Sequence, residues 1–285
     1  MAGEIERVGV VGLGTMGAGI AQVCVQAGVE TVGREVSAEL GERATERIAH
    51  YLERGVDKGR LSATERDEAL ARLTTTTRLD DLAGCDLVIE AVIEDLGAKR
   101  EIFAELDRLL PDAVLATNTS ALPVAEIASA TSRPGRVVGM HFFNPAPVLP
   151  LVEIVQADAS AEQAVAVAFA FAERVGKRPI RCRDTPGFVV NRILIPLLND
   201  CVRVLDEAGV SPEDLDTAMT AGVSWPIGPC ALIDLIGVDV HVHASEAIYE
   251  ALGEERMRPP ERLVEMRAAG KLGRKSGEGF FRYER

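Results

Sequence analysis

The chain has 285 residues, 47% of them hydrophobic and 26% charged, which fits a soluble globular protein of two domains sharing one active site. A formal net charge of −13 argues against nucleic acid or an anionic membrane surface as the main partner. The longest apolar stretches fall short of the ~20 residues a membrane span needs. Residues 1–7 are acidic and run straight into a strand-like segment without a basic n-region or apolar h-region, so the expected location is cytoplasmic. Cys24, Cys85, Cys182, Cys201 and Cys230 are scattered without a CxxC pair; they read as small buried residues of a reducing compartment, not as disulfides or metal ligands.

In chain order, Arg7 to Gly12 reads as a first strand, Met16 to Ala27 as a helix and Val29 to Arg34 as a second strand. Ser37 has the look of an N-cap for a long polar helix reaching about Arg54. Apolar runs predict further strands at Asp86 to Val92, Ala113 to Asn118, Arg136 to Phe142 and Leu151 to Val155. Strands alternating with amphipathic stretches indicate an α/β fold, a Rossmann-type, mainly parallel sheet. The segment Arg183-Asp184-Thr185-Pro186-Gly187 breaks this pattern, and strand-like runs nearly vanish beyond it. Phe188 to Ala208 has helical periodicity, with Pro196 expected to bend it. Ser211-Pro212 reads as an N-cap followed by proline at the first helical position. Pro226 to Pro229 breaks the chain again before a helical run through Leu252. The expected organisation is a nucleotide-binding domain over 1–184 and a smaller all-helical C-terminal domain over 185–285.

Gly12-Leu13-Gly14-Thr15-Met16-Gly17 fits G-x-G-x-x-G between a strand and a helix. Gly12 permits the tight turn, Gly14 lets backbone approach a pyrophosphate, and Gly17 allows close helix–strand packing. The N–H groups at the helix start, with Thr15 and Met16, then face the phosphates. Glu35 follows Gly17 by 18 residues, close to the place of an acid that binds the adenosine ribose. A carboxylate there repels a 2′-phosphate and favours NAD; Arg34 beside it works the other way and leaves NADP open. The bland alternative is a structural glycine turn with a surface glutamate.

Polar residues cluster where strands end. They are Thr117-Asn118-Thr119-Ser120 after one strand, His141 to Pro145 at another, and Glu153 inside the apolar run Leu151 to Val155. Oxidation of a hydroxyl to a carbonyl needs a base, and imidazole exchanges protons near neutral pH. A buried Glu153 needs a donor partner, and His141 is the obvious one, its tautomer fixed by the carboxylate. Twelve residues of separation do not prove contact, so a core histidine and an unrelated salt-bridged glutamate stay open. Ser120 and Asn191 are candidate donors to a substrate oxygen. Ser120 could equally cap the helix ahead of Pro123 to Ala128, and Asn191 could be a packing amide.

Longer stretches carry a resemblance. VGLGTMGAGIAQ from Val11, DLVIEAVIED from Asp86, LATNTSALPVAEIA from Leu115, VVGMHFFNPAPVLPLVE from Val137, DTPGFVVNRILIPLLND and the terminal GKLGRKSGEGFFRY resemble the short-chain L-3-hydroxyacyl-CoA dehydrogenase family, particularly its bacterial 3-hydroxybutyryl-CoA branch. The resemblance spans essentially the whole chain. It implies an oxidoreductase that interconverts short-chain (S)-3-hydroxyacyl-CoA and 3-oxoacyl-CoA by hydride transfer with NAD(H), without a metal. By resemblance, His141 is the catalytic base and Glu153 its electrostatic partner, while Ser120 and Asn191 hold the 3-oxygen and nicotinamide end. Glu94, Lys99, Asn118, Asn144 and Lys275 become cofactor contacts alongside Gly12, Gly14, Thr15, Met16, Gly17 and Glu35. For coenzyme A, Lys58 and, more weakly, Arg54 are implied contacts in a basic segment that otherwise reads as a solvated helix face. The resemblance also implies a homodimer through the C-terminal domain, which the apolar run Ile193 to Leu198 suits. Trp225, and Pro150 where a lysine is common, depart from the family pattern, and both bear on acyl length and carrier. The same chemistry on a carrier-protein thioester or a sugar acid is the alternative substrate reading. An NAD-binding structural protein without turnover is the alternative of another class.

Overall fold

The apolar runs of the first half become strands of a single sheet, in the computed structural model that describes residues 5–284. The strands are β1 (Arg7–Val11), β2 (Glu30–Arg34), β3 (Leu73–Thr76), β4 (Leu87–Glu90), β5 (Val114–Thr117), β6 (Val137–Phe142), β7 (Leu151–Gln156) and β8 (Arg178–Arg183). Their order is β3-β2-β1-β4-β5-β6-β7-β8. All neighbours are parallel except β6 and β7, which form an antiparallel pair. Every residue of β4, β5 and β6 is buried, which explains why these strands read as continuous apolar runs and not as alternating ones.

Helices α1 (Thr15–Gln26), α2 (Ala38–Asp57), α3 (Ala63–Ala71), α4 (Leu96–Leu109), α5 (Val124–Ala128) and α6 (Glu162–Arg174) accompany this sheet. Ser37 caps α2 as expected, its hydroxyl accepting the Leu40 N–H. Ser62 and Glu65 form a reciprocal capping box on α3. The main core draws on both sheet and helices, with Val8, Val10, Ile20, Ile48, Leu87, Ile89, Val138 and Phe171 among its buried members.

The chain divides into compact units after Thr185. The second unit holds α7 (Val190–Ala208), α8 (Pro212–Val223), α9 (Pro229–Ile236), α10 (Val238–Leu252) and α11 (Glu261–Ala268). Its β structure among the described residues is limited to isolated bridges at Gly273, Glu278 and Arg282. Helix α7 begins at Val190, two residues later than expected, because Phe188 adopts a positive φ of 46°. It then runs through Pro196 without interruption. Ser211 caps α8 with Pro212 at its first position. The expected single run to Leu252 is two helices, broken at Gly237, whose φ of 103° no other residue adopts readily. Among the described residues no helix is long and apolar enough to cross a membrane.

Candidate active site

Strand order reverses between β1 and β4, and ligands of open α/β sheets bind in the crevice at such a point, beyond the carboxyl ends of the strands. The glycine turn lies there. Gly12 has a φ of +85°, and a Cβ on it would meet the Ala91 carbonyl oxygen at 2.9 Å. A Cβ on Gly17 would lie 1.7 Å from the Gly12 carbonyl oxygen, whereas one on Gly14 would meet nothing within 4 Å. So Gly12 and Gly17 are fixed by packing, and Gly14 faces open space at the start of α1. That helix has no side-chain N-cap and no acidic residue in its first turn, and Gly14 and Thr15 are exposed with Met16 half-buried. Positive helix end, bare N–H groups and absent side chain together fit a dinucleotide's phosphates.

Glu35 closes the turn from below. One of its carboxylate oxygens accepts the Leu13 N–H at 2.6 Å and the other the Val36 N–H at 3.0 Å. Arg47 on α2, which sequence reasoning passed over, donates to the Leu13 carbonyl at 2.6 Å and the Gly14 carbonyl at 3.2 Å. The Leu13 peptide is thereby held at both its N–H and its C=O. Arg54 and Lys58 are exposed at the carboxyl end of α2.

At the other half of the sheet, the antiparallel register sets His141 of β6 directly opposite Glu153 of β7. The Glu153 Oε2 lies 2.7 Å from His141 Nδ1, with the carboxylate fully buried and the imidazole nearly so. An ionised carboxylate only accepts, so Nδ1 carries the hydrogen and Nε2 is the basic nitrogen. The Phe143 ring packs against the imidazole at 4.4 Å between centroids.

The turn after β5 is organised by an acid that follows β4. Glu94 Oε1 accepts from Thr119 Oγ1 at 2.6 Å, the Ser120 N–H at 2.8 Å, the Ala121 N–H at 3.2 Å and Ser120 Oγ at 3.3 Å. Burial alone would raise the Glu94 carboxyl. The Lys99 ammonium and these hydrogen bonds outweigh it and hold its pKa below the usual glutamate value. Ser120 therefore does not cap α5, whose N-cap is Pro123. Asn118 uses its Oδ1 to accept the Phe142 N–H at 2.9 Å, tying the end of β5 to the end of β6.

Lys99 stands differently from what the resemblance implied. It is 1% exposed, with Nζ 2.6 Å from Glu90 Oε1 and 3.4 Å from Glu94 Oε2, so its charge is committed inside the protein. Glu90, fully buried, also accepts from Thr117 Oγ1 and the Val92 N–H. Its signal was visible as an acid closing the apolar run Leu87 to Glu90, with a lysine nine residues on. Asn144 is exposed in the loop joining β6 to β7.

The second unit carries the remaining residues. Asn191 is half-buried in the first turn of α7. Lys275 is paired with Asp239 at 2.6 Å. The segment bearing it is anchored by Asp234, whose carboxylate accepts the Phe280 and Phe281 N–H groups and the Tyr283 hydroxyl. The five cysteines form no disulfide, and burial pushes their thiols up, to about 12 for Cys24 and about 11 for Cys85.

Residues 7–185 match the family model of the 3-hydroxyacyl-CoA dehydrogenase NAD-binding domain, and residues 187–283 match that of the 3-hydroxyacyl-CoA dehydrogenase C-terminal domain. A 3-hydroxybutyryl-CoA dehydrogenase of Mycobacterium tuberculosis is 48% identical over 286 residues, covering 99% of this chain and all of the relative. The crystal structure of FadB2 from M. tuberculosis superposes with a TM-score of 0.97 at 48% identity, covering 99% of this chain and 100% of that one. That of (S)-3-hydroxybutyryl-CoA dehydrogenase from Ralstonia eutropha gives 0.95 at 40% identity, with coverage of 99% and 100%. With both of its halves matched and relatives aligned along its whole length, the chain belongs to the 3-hydroxyacyl-CoA dehydrogenase family.

Proposed function

We propose that this chain interconverts short-chain (S)-3-hydroxyacyl-CoA, of the 3-hydroxybutyryl type, and the 3-oxoacyl thioester, using NAD. The observation that carries the proposal is the buried His141–Glu153 pair, aligned by strand register near the carboxyl end of β6, beside the end of β5 where the Ser120 turn emerges. Full-length relatives that bear the 3-hydroxybutyryl-CoA dehydrogenase name favour a coenzyme A thioester over a carrier-protein or sugar-acid substrate, and turnover over a structural role.

Bound NAD supplies the hydride acceptor. The N–H groups of Gly14, Thr15 and Met16 would hold the cofactor's phosphates and Glu35 would hold the adenosine ribose, its negative charge disfavouring a 2′-phosphate. In the oxidative direction His141 Nε2 accepts the proton of the substrate 3-hydroxyl, and Glu153 stabilises the resulting imidazolium through Nδ1–H. In the reductive direction the same Nε2–H returns the proton. Ser120, held by Glu94 through its backbone N–H, turns its hydroxyl hydrogen away from the carboxylate to donate to the 3-oxygen as charge shifts there, and Asn191 is the second donor. Glu94, backed by Lys99, together with Asn118, Asn144 and Lys275, serves the cofactor. Lys99 acts through Glu94, since its ammonium is buried. Arg54 and Lys58 bind coenzyme A phosphates, a local positive rim on an acidic protein. Residues 185–285 bind substrate and form a homodimer, and the protein works in the cytoplasm.

Absorbance of the reduced cofactor, followed after adding acetoacetyl-CoA, tests the reading, with NADPH run in parallel. Rapid NADH loss, slow NADPH loss, and none with His141→Gln despite intact NADH binding are expected. A His141→Gln variant that loses binding and turnover equally would show a structural histidine.

A further inference from the structure

The loop Phe143 to Pro150 joins the two strands that carry the proton-transfer pair, and it is secured by a cation. Lys177, immediately before β8, is 9% exposed. Its ammonium donates to the Ala146 carbonyl and, at 3.0 Å, to the Leu149 carbonyl. Beside it the Arg178 N–H donates to the Pro150 carbonyl at 2.7 Å. Within ion-pair distance of Lys177 there is no carboxylate among the described residues, and burial pulls its pKa below the usual lysine value. A buried ammonium held only by neutral carbonyls is costly to maintain, and a methionine of similar length would fill the space without that cost. What the ammonium adds is a pair of bonds that close the loop.

The same loop also packs on the helix that follows the nucleotide turn. A Cβ on Gly19 of α1 would press on Pro147 Cδ at 3.1 Å and Ala146 Cβ at 3.2 Å. The loop is thus packed between Lys177 and the first helix, five residues beyond Gly14, with Asn144 exposed on it.

We propose that Lys177 is a positioning residue: it fixes the Phe143–Pro150 loop so that the loop, through Asn144, holds the nicotinamide end of the cofactor. The proposal rests on the reading of Asn144 as a cofactor contact. Lys177 touches neither cofactor nor substrate and sets only where the loop sits.

The test compares dissociation constants of NADH and ADP-ribose, which lacks the nicotinamide, on the full chain and on Lys177→Met, Lys177→Gln and Asn144→Ala. Lys177→Met should weaken NADH about tenfold, as a loop must be ordered on binding, and leave ADP-ribose within twofold. Lys177→Gln, which keeps a donor for one carbonyl, should fall between. Equal weakening of both ligands, or of neither, by Lys177→Met overturns the proposal. If Asn144→Ala leaves the ratio unchanged while Lys177→Met alters it, Lys177 keeps its role and the Asn144 reading fails. If Asn144→Ala alters it and Lys177→Met does not, only the Lys177 proposal fails. Should the methionine variant not fold, hydrogen exchange decides with Lys177→Gln: faster exchange over 143–150 with β6 and β7 unchanged is expected, and exchange equal to wild type overturns the proposal.

Discussion

Replacing Glu153 by glutamine keeps the shape of a fully buried side chain and removes its charge, which isolates what the carboxylate does for His141. The contact includes a hydrogen bond of 2.7 Å to Nδ1. A hydrogen bond to a charged group contributes about 1.5–3 kcal/mol against about 1 kcal/mol for a neutral one. The difference acts when the imidazole becomes imidazolium, so roughly 0.5–2 kcal/mol is lost at that stage, and about 1.4 kcal/mol is tenfold in rate. If the glutamine turns its oxygen to the ring, turnover should fall about 2- to 30-fold. If its NH2 group faces the ring, Nδ1 must accept and the proton moves to Nε2, which blocks the base. Trapping the wrong tautomer in a serine-protease triad costs about 10⁴. The assay is steady-state NADH consumption with acetoacetyl-CoA, paired with an NADH titration and a thermal melt. Turnover within twofold of wild type in a folded variant would refute the proposed dyad, and a parallel loss of NADH affinity would make Glu153 a structural residue.

Gly14→Ala separates ligand from fold. Its Cβ would meet nothing in the protein, so stability should change by less than about 1 kcal/mol, while NADH affinity measured by fluorescence should drop at least tenfold; unchanged affinity would mean the phosphates do not approach that turn. Lys99→Met leaves Glu90 buried without its cation and should cost about 3–5 kcal/mol in urea unfolding. Adding Glu90→Gln should recover much of that, and a double variant no more stable than the single one would contradict the pairing. His241 is fully buried on α10, and desolvation lowers its pKa from the usual 6.5 to about 4. The folded state therefore favours the neutral ring, and its contribution, about 3 kcal/mol, is complete above pH 6.5 and lost as pH falls toward 4. Unfolding midpoints of wild type and His241→Gln at pH 7 and pH 5 should show a weaker pH dependence in the variant; equal slopes would exclude this histidine as the cause.

The parts of the fold legible in the sequence are those where burial dictates composition. β1, β4, β5, β6 and β7 are apolar because neighbours cover them, and the caps Ser37 and Ser211 announce their helices. What escaped lies at the periphery. The sheet's edges, β3 (LTTT) and β8 (RPIRCR), are largely exposed and carry polar or basic residues that guard an edge against mispairing; neither looks apolar. Helix α3 buries little beyond Ala69, and the alanine-rich α6 lacks a side-chain cap. At the site, the glycine turn and its acid could be read from spacing because the motif is local. The His141–Glu153 contact could not, since twelve residues of separation say nothing of register until the hairpin is known. Lys177 and Arg47 escaped because their partners are backbone carbonyls, which no sequence pattern marks.

The cross-strand placement of His141 and Glu153 divides what this region tolerates in insertions and deletions. Register belongs to the β6–β7 ladder, so residues gained or lost between Phe143 and Pro150 leave His141 and Glu153 facing each other, and their cost falls on whatever the loop contacts. A single residue gained inside either strand does the opposite. Because strand faces alternate with a period of two, it turns one partner to the other side of the sheet. The loop is thus the segment whose length can change without turning either side chain away from the other, and the strands are the segment in which length is fixed by register.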